Sequence, residues 1–206
     1  MVPIIETERL ILRGHRIEDF NDCAAIWSMP EVVRYIGGKP LTSEDVWARL
    51  LRYAGHWQWM GFGFWAIEEK ATGAFAGDTG FAEFKREIEP SVLGVPESGW
   101  VLAPHAQGKG YATEAVRAVT AWGDRHFGAA RTVCLIHPEN LRSLRVAEKC
   151  GYKEFQRTTY KTQPTIILER PLPDGRGSDG IIRLQSEPRP GHPLGPERFP
   201  VISENR

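Results

Sequence analysis
Residues 107–112, QGKGYA, carry the clearest chemical signal in this chain. They follow a short apolar run stopped by Pro104 and open a long amphipathic stretch, so they are predicted to lie where a strand gives way to a helix. The first amides of a helix have no intrahelical partner and sit at the positive end of its dipole, which makes such a turn an anion site. Gly108 and Gly110 let the main chain approach a diphosphate closely, and Lys109 offers a charge at its rim. The plainer reading is a glycine-rich turn that merely begins a helix. Two rival phosphate motifs do not fit. A Walker loop needs GxxxxGK followed by Ser or Thr, but Gly110 follows Lys109; a dinucleotide fingerprint needs Gly or Ala where Thr113 stands.

The elements around this loop follow from periodicity. Residues 7–13, TERLILR, read as a strand, and Ile17, Phe20, Ala24 and Trp27 recur at helical spacing. Thr42, Ser43 and Asp45 mark a second helix start, with Val46, Leu50, Ala54 and Trp57 as its buried stripe and an end near Gly61. Residues 62–68 and 74–84 read as a hairpin around a turn at 70–73, and 99–103 as a further strand. Ala112, Ala115, Val116, Val119, Trp122 and His126 keep a 3.6-residue period up to Gly128, a natural stop. A strand at 132–136, a short helix at 143–150 closed by Gly151 and a strand at 165–168 complete a mixed α/β domain over residues 1–172. From 173 to 206 the chain has 11 Pro or Gly in 34 residues and no apolar period, and a disordered tail is expected there.

Composition narrows the function class. Lys and Arg number 26 and Asp and Glu number 26, so no net field favours nucleic acid or an acidic membrane surface. Cys23, Cys134 and Cys150 show neither CxxC nor Cys/His spacing, which argues against disulfides and a zinc or other metal site and suits a reducing cytoplasm. The first residues hold no basic segment leading into an apolar run, and no 18-residue apolar stretch occurs, so neither secretion nor membrane spanning is expected.

The loop, taken with its surroundings, resembles the GNAT acetyltransferase superfamily, whose signature Q/R-x-x-G-x-G/A is matched by Gln107, Gly110 and Ala112. TERLILR at 7–13, the glycines 73 and 77, WVLAPHAQGKGYATEA at 100–115 and NLRSLRVAEKCGY at 140–152 look like the subgroup that contains ribosomal-protein alanine N-acetyltransferases. The resemblance spans about residues 5–172. It implies a twisted mixed sheet, helices on both faces, in which the parallel strands at 99–103 and 132–136 splay apart around the pantetheine arm of acetyl-CoA. Main-chain groups near Val101 and Leu102 would hold the arm, and Gln107, Gly108, Lys109, Gly110, Tyr111 and Ala112 the pyrophosphate. Asn140 matches a cofactor-contacting position and is also a natural helix cap.

Attack of an amine on a thioester needs a proton acceptor, a donor to the carbonyl oxygen and an acid for the leaving thiolate. Glu97, read as a loop residue before the splayed strand, points toward the acceptor side by the resemblance and is the candidate base, with Glu83 and His105 as alternatives. The tyrosine acid of many superfamily members is missing, because Ala147 stands in its place, and the resemblance to the ribosomal-protein subgroup implies Ser143 as the substitute, or else a helix cap. The expected acceptor is a primary amine, on a protein N-terminus or a small molecule, handled by a monomer or homodimer; the alternative is a catalytically silent acyl-CoA-binding module. Segments 29–41 and 85–97 would set specificity, and Trp57, Trp59, Phe62 and Phe64 would line an acceptor cleft or fill the core.

Overall fold
A computed structural model describes residues 1–127 and 131–171. The expected tail at 173–206, residue 172 and the stop at Gly128 lie outside the described residues. Among the described residues, β1 (Ile5–Glu6), β2 (Leu10–Arg13), β3 (Phe64–Glu69), β4 (Phe75–Ala82), β5 (Glu97–Leu102), β6 (Thr132–Ile136), β7 (Lys153–Tyr160) and β8 (Gln163–Arg170) form one sheet in the order β1-β2-β3-β4-β5-β6-β8-β7. Every pairing is antiparallel except β5 with β6. The helices are α1 (Phe20–Trp27), α2 (Pro30–Val33), α3 (Ser43–Met60), α4 (Tyr111–His126) and α5 (Leu141–Lys149).

Alternation along the strands divides the helices between two faces. Asp78 on β4 accepts a hydrogen bond from the Trp27 indole of α1, while Phe81, three residues along the same strand, meets Gly123 of α4. Helices α1 and α3 therefore cover one face and α4, with α5 beside it, the other. Helix α3 begins in a capping box: the Asp45 amide donates to the Thr42 hydroxyl (3.2 Å) and the Thr42 amide to the Asp45 carboxylate (3.0 Å). It stops at Gly61, whose φ of 72° is left-handed. Helix α4 buries Ala115, Val116 and Val119 fully, as its period predicts.

Local differences from the sequence reading have physical causes. The strand expected at 7–13 is broken by a turn, since the Thr7 amide and hydroxyl both donate to the Leu10 carbonyl. The first helix starts as a 3-10 turn and leaves Ile17 75% exposed. On α3, Tyr53 replaces Ala54 on the buried stripe, because its ring stacks on Phe64 at 4.7 Å. The whole of β7 was not expected: it is a polar, mostly exposed edge strand.

Candidate active site
Strands β5 and β6 touch at one place, where Glu97 stands opposite Val133 and the Val133 amide donates to the Pro96 carbonyl. Past that bridge they separate. The Ala103 amide bonds the Ala76 carbonyl, so main-chain groups at odd positions of β5 face β4 and those at even positions face β6. Trp100 and Leu102 thus turn their amides and carbonyls into the gap. Val101 does not, a correction to the expectation for its main chain: its carbonyl lies against Gly77, 2.1 Å from where a Cβ there would stand. Gly77, with φ of 141°, is what allows that approach.

The open end of the gap faces the start of α4. Gly108 and Gly110 both have positive φ (78° and 83°), a Cβ at Gly108 would meet nothing within 4 Å, and no side chain caps the helix. The first intrahelical bond is Glu114 amide to Gly110 carbonyl, so the amides of Tyr111, Ala112 and Thr113 have no helical partner. A diphosphate fits this surface, since backbone donors, open space and the helix dipole coincide.

Side chains fix the loop from behind. The Arg9 guanidinium donates to the Lys109 carbonyl (2.9 Å) and pairs with Glu114 (2.6 Å), whose carboxylate also accepts from the Arg9 amide and the Thr7 hydroxyl. Glu69, at the end of β3, accepts from the Tyr111 hydroxyl, the Thr72 hydroxyl and the Lys109 ammonium; these donors, Tyr111 first, hold its carboxyl down at about 2. Lys109 and Tyr111 therefore have structural partners in the loop's support. Gln107 bridges the mouth of the gap, donating to the Leu102 carbonyl (3.1 Å) and accepting from Arg142 of α5 (3.0 Å).

Across the gap, Asn140 caps α5 by accepting from the Ser143 amide (3.2 Å). Because Asn140 fills that role, the Ser143 hydroxyl is left without a hydrogen bond among the described residues, half-buried in the first turn of α5. Ala147 is fully buried among Cys134, Cys150 and Tyr152, and offers no acid.

Glu97 is not in a loop: it is the first residue of β5, 7% exposed, on the α1/α3 face at the closed end of the gap. Arg86 grips both its oxygens, Nε to Oε2 at 2.5 Å and Nη2 to Oε1 at 2.7 Å. Burial pushes the carboxyl above the usual range, against the pull of Arg86. Glu83 is tied up by Lys85 and the Gly94 amide, which hold its carboxyl low against burial, and His105 sits exposed in the turn Pro104–Ala106. Phe62 and Phe64 are buried in the core, Trp57 donates to the Phe64 carbonyl, and Trp59 is 88% exposed, so these four residues do not form one cleft wall.

The fold also assembles a group that spacing in the sequence did not reveal. His15 Nε2 lies 2.6 Å from Asp78 Oδ1, and with Cys23 their ligand atoms all fall within 4.8 Å of one another. Asp78 is 1% exposed and both its oxygens are engaged, by His15 and Trp27, which makes the group a satisfied buried cluster.

A family model described as an acetyltransferase (GNAT) domain matches residues 9–153. The Bacillus subtilis (strain 168) protein YkkB is 34% identical over 174 residues, covering 80% of this chain and 93% of its own. Among solved structures, an acetyltransferase from Agrobacterium tumefaciens is 25% identical with a TM-score of 0.71 over 82% of this chain and 94% of that one. RimL, a ribosomal L7/L12 alpha-N-protein acetyltransferase solved with coenzyme A, shares the fold at 14% identity, TM-score 0.67, over 82% of this chain and 98% of that one. Among the described residues no helix is long and apolar enough to cross a membrane.

Proposed function
The chain belongs to the GNAT acetyltransferase family, and from that membership we propose that it transfers the acetyl group of acetyl-CoA to a primary amine, on a protein N-terminus or a small molecule, by direct attack. One observation carries the reading: an uncapped helix start with two left-handed glycines stands at the open end of a splayed parallel strand pair. Acetyl-CoA supplies an activated thioester. The free amides of the first turn of α4, with Gly108 and Gly110, bind its diphosphate, and the main-chain groups of Trp100 and Leu102 bind its arm as a strand partner does. The Asn140 side chain, whose oxygen caps α5, offers its amide nitrogen to the same ligand.

Glu97 receives the proton lost by the attacking amine, through a water, and passes it out along the face that Arg86 and Tyr160 line. Arg86 pulls the buried carboxylate toward its ionised form, against burial. Ser143 donates the proton that the departing thiolate needs, helped by the positive end of α5. A test is the release of free thiol from acetyl-CoA across a panel of primary amines, for wild type and Glu97→Gln. Turnover that Glu97→Gln lowers by about a hundred-fold agrees with the proton-acceptor role. Equal turnover in both proteins removes Glu97 from the reaction, and binding of acetyl-CoA without any turnover favours the silent binding module.

A further inference from the structure
Helix α3 carries two arginines that form no ion pair among the described residues. Arg49 and Arg52 are three residues apart and so share one side of the helix. The Arg49 guanidinium lies 3.8 Å over the Trp27 ring, donates from Nη1 to the Tyr53 hydroxyl at 3.4 Å, and buries an Nε that has no hydrogen-bond partner among the described residues. Arg52 lies over one side of the Phe84 ring (5.4 Å), and Arg86 lies over the same ring (4.7 Å). No carboxylate among the described residues comes within 4.0 Å of Arg49 or Arg52. The like charges of Arg49 and Arg86 both act on Arg52, so the three guanidiniums are neighbours, and Arg86 alone of them holds Glu97.

An exposed arginine is content with water, but a guanidinium nitrogen buried without a partner is left costly until something accepts its hydrogen bond. The cluster also has a position. It lies on the α1/α3 face beside Glu97, opposite the face on which α4 packs, and hence away from the loop that takes the diphosphate.

We propose that Arg49 and Arg52, beside the Arg86–Glu97 pair, form a receptor for a carboxylate carried by the acceptor, so that the substrate is an amine bearing a carboxylate, such as an amino acid or a short peptide with a free C-terminus. The inference rests on the transferase reading, which supplies the amine. A planar guanidinium fork matches a carboxylate through two parallel hydrogen bonds, and two forks on adjacent helix turns suit one such group. The carboxylate then anchors the acceptor while its amine reaches Glu97 at the closed end of the gap.

The test uses the full-length protein with L-alanine, L-glutamate and the dipeptide Ala-Ala, each beside the analogue whose C-terminal carboxylate is a carboxamide, and spermidine as a cationic control. Acetyl-CoA binding is measured separately by titration. At least one carboxylate is expected to be acetylated with a KM about ten-fold or more below that of its carboxamide. Arg52→Gln is expected to erase that difference while leaving acetyl-CoA affinity unchanged; Arg49→Lys, which keeps the charge but loses the fork, reduces it. Preference for carboxamides or spermidine, or an equal effect of Arg52→Gln on both members of a pair, overturns the receptor. Failure of the folded protein to bind acetyl-CoA, or binding without acetylation of any amine, is a different result: it removes the transferase reading itself, and the inference with it.

Discussion

Replacing Arg86 by methionine keeps most of the stem that lies against Phe84 and Tyr160 but removes the fork that holds Glu97. Glu97 is 7% exposed, so its carboxylate is left charged in a site that water barely reaches. Stranding one member of a buried pair costs about 3–5 kcal/mol, a large share of the roughly 5–15 kcal/mol that holds a domain of this kind together. The loss depends on pH in a definite sense. Burial raises the folded-state pKa of Glu97 above its unfolded value, and without Arg86 nothing opposes that rise. The folded form then binds a proton that the unfolded chain releases, so the deficit is full above the folded-state pKa and shrinks as pH falls through it. Urea unfolding of wild type, Arg86→Met, Glu97→Gln and the double variant at two pH values, one near 8 and one near 5.5, reads this directly. Arg86→Met is expected to lose about 3 kcal/mol or more at the higher pH and less at the lower. The double variant should recover most of the loss, because a neutral amide needs no counter-ion. A loss below about 1 kcal/mol, the range of an exposed pair, or a loss independent of pH, refutes the reasoning.

Three further outcomes are expected. Ser143→Ala keeps acetyl-CoA affinity and lowers kcat about ten-fold or more, measured by steady-state thiol release; unchanged kcat takes the hydroxyl out of the reaction. Gly77→Ala puts a methyl 2.1 Å from the Val101 carbonyl in a left-handed backbone, so it is expected to lose several kcal/mol in urea unfolding or to fail to fold, roughly the sum of backbone strain and overpacking. Cys23, Cys134 and Cys150 are all buried, and burial pushes their thiols up, Cys150 to about 11; a colorimetric disulfide reagent at pH 8 should label none of the three in the native protein and all three in urea.

The parts that periodicity and turn chemistry control were legible. Helix α4 and its glycine-rich start were read from a sustained 3.6-residue stripe, and α3 from its capping box, because both signals are local. Strand β7 was illegible for an equally local reason. Its side chains are mostly exposed and polar, and its hairpin turns on Lys161 and Thr162, with φ of 47° and 67°, where a reader looks for Asn-Gly. At the site, Asn140 and Ser143 were candidates through the family resemblance, which left open which one caps α5; Asn140 does. The Arg86 grip on Glu97 and the meeting of His15, Cys23 and Asp78 depend on strand register and helix docking, which bring together residues 11 and 63 positions apart in the pairs concerned. No window of sequence contains that information.

The account stands on the loop at the start of α4, and calorimetric titration with acetyl-CoA tests it most directly, on wild type and on Gly110→Trp. Gly110 sits at φ of 83°, 3.4 Å from Arg9 Nη2 on its Cβ side, so an indole there distorts the turn and blocks the amides. A wild-type dissociation constant on the order of micromolar, with binding lost in a variant that still folds, is the predicted result. Folded wild-type protein that does not bind acetyl-CoA, or a Gly110→Trp protein that binds it equally well, contradicts it.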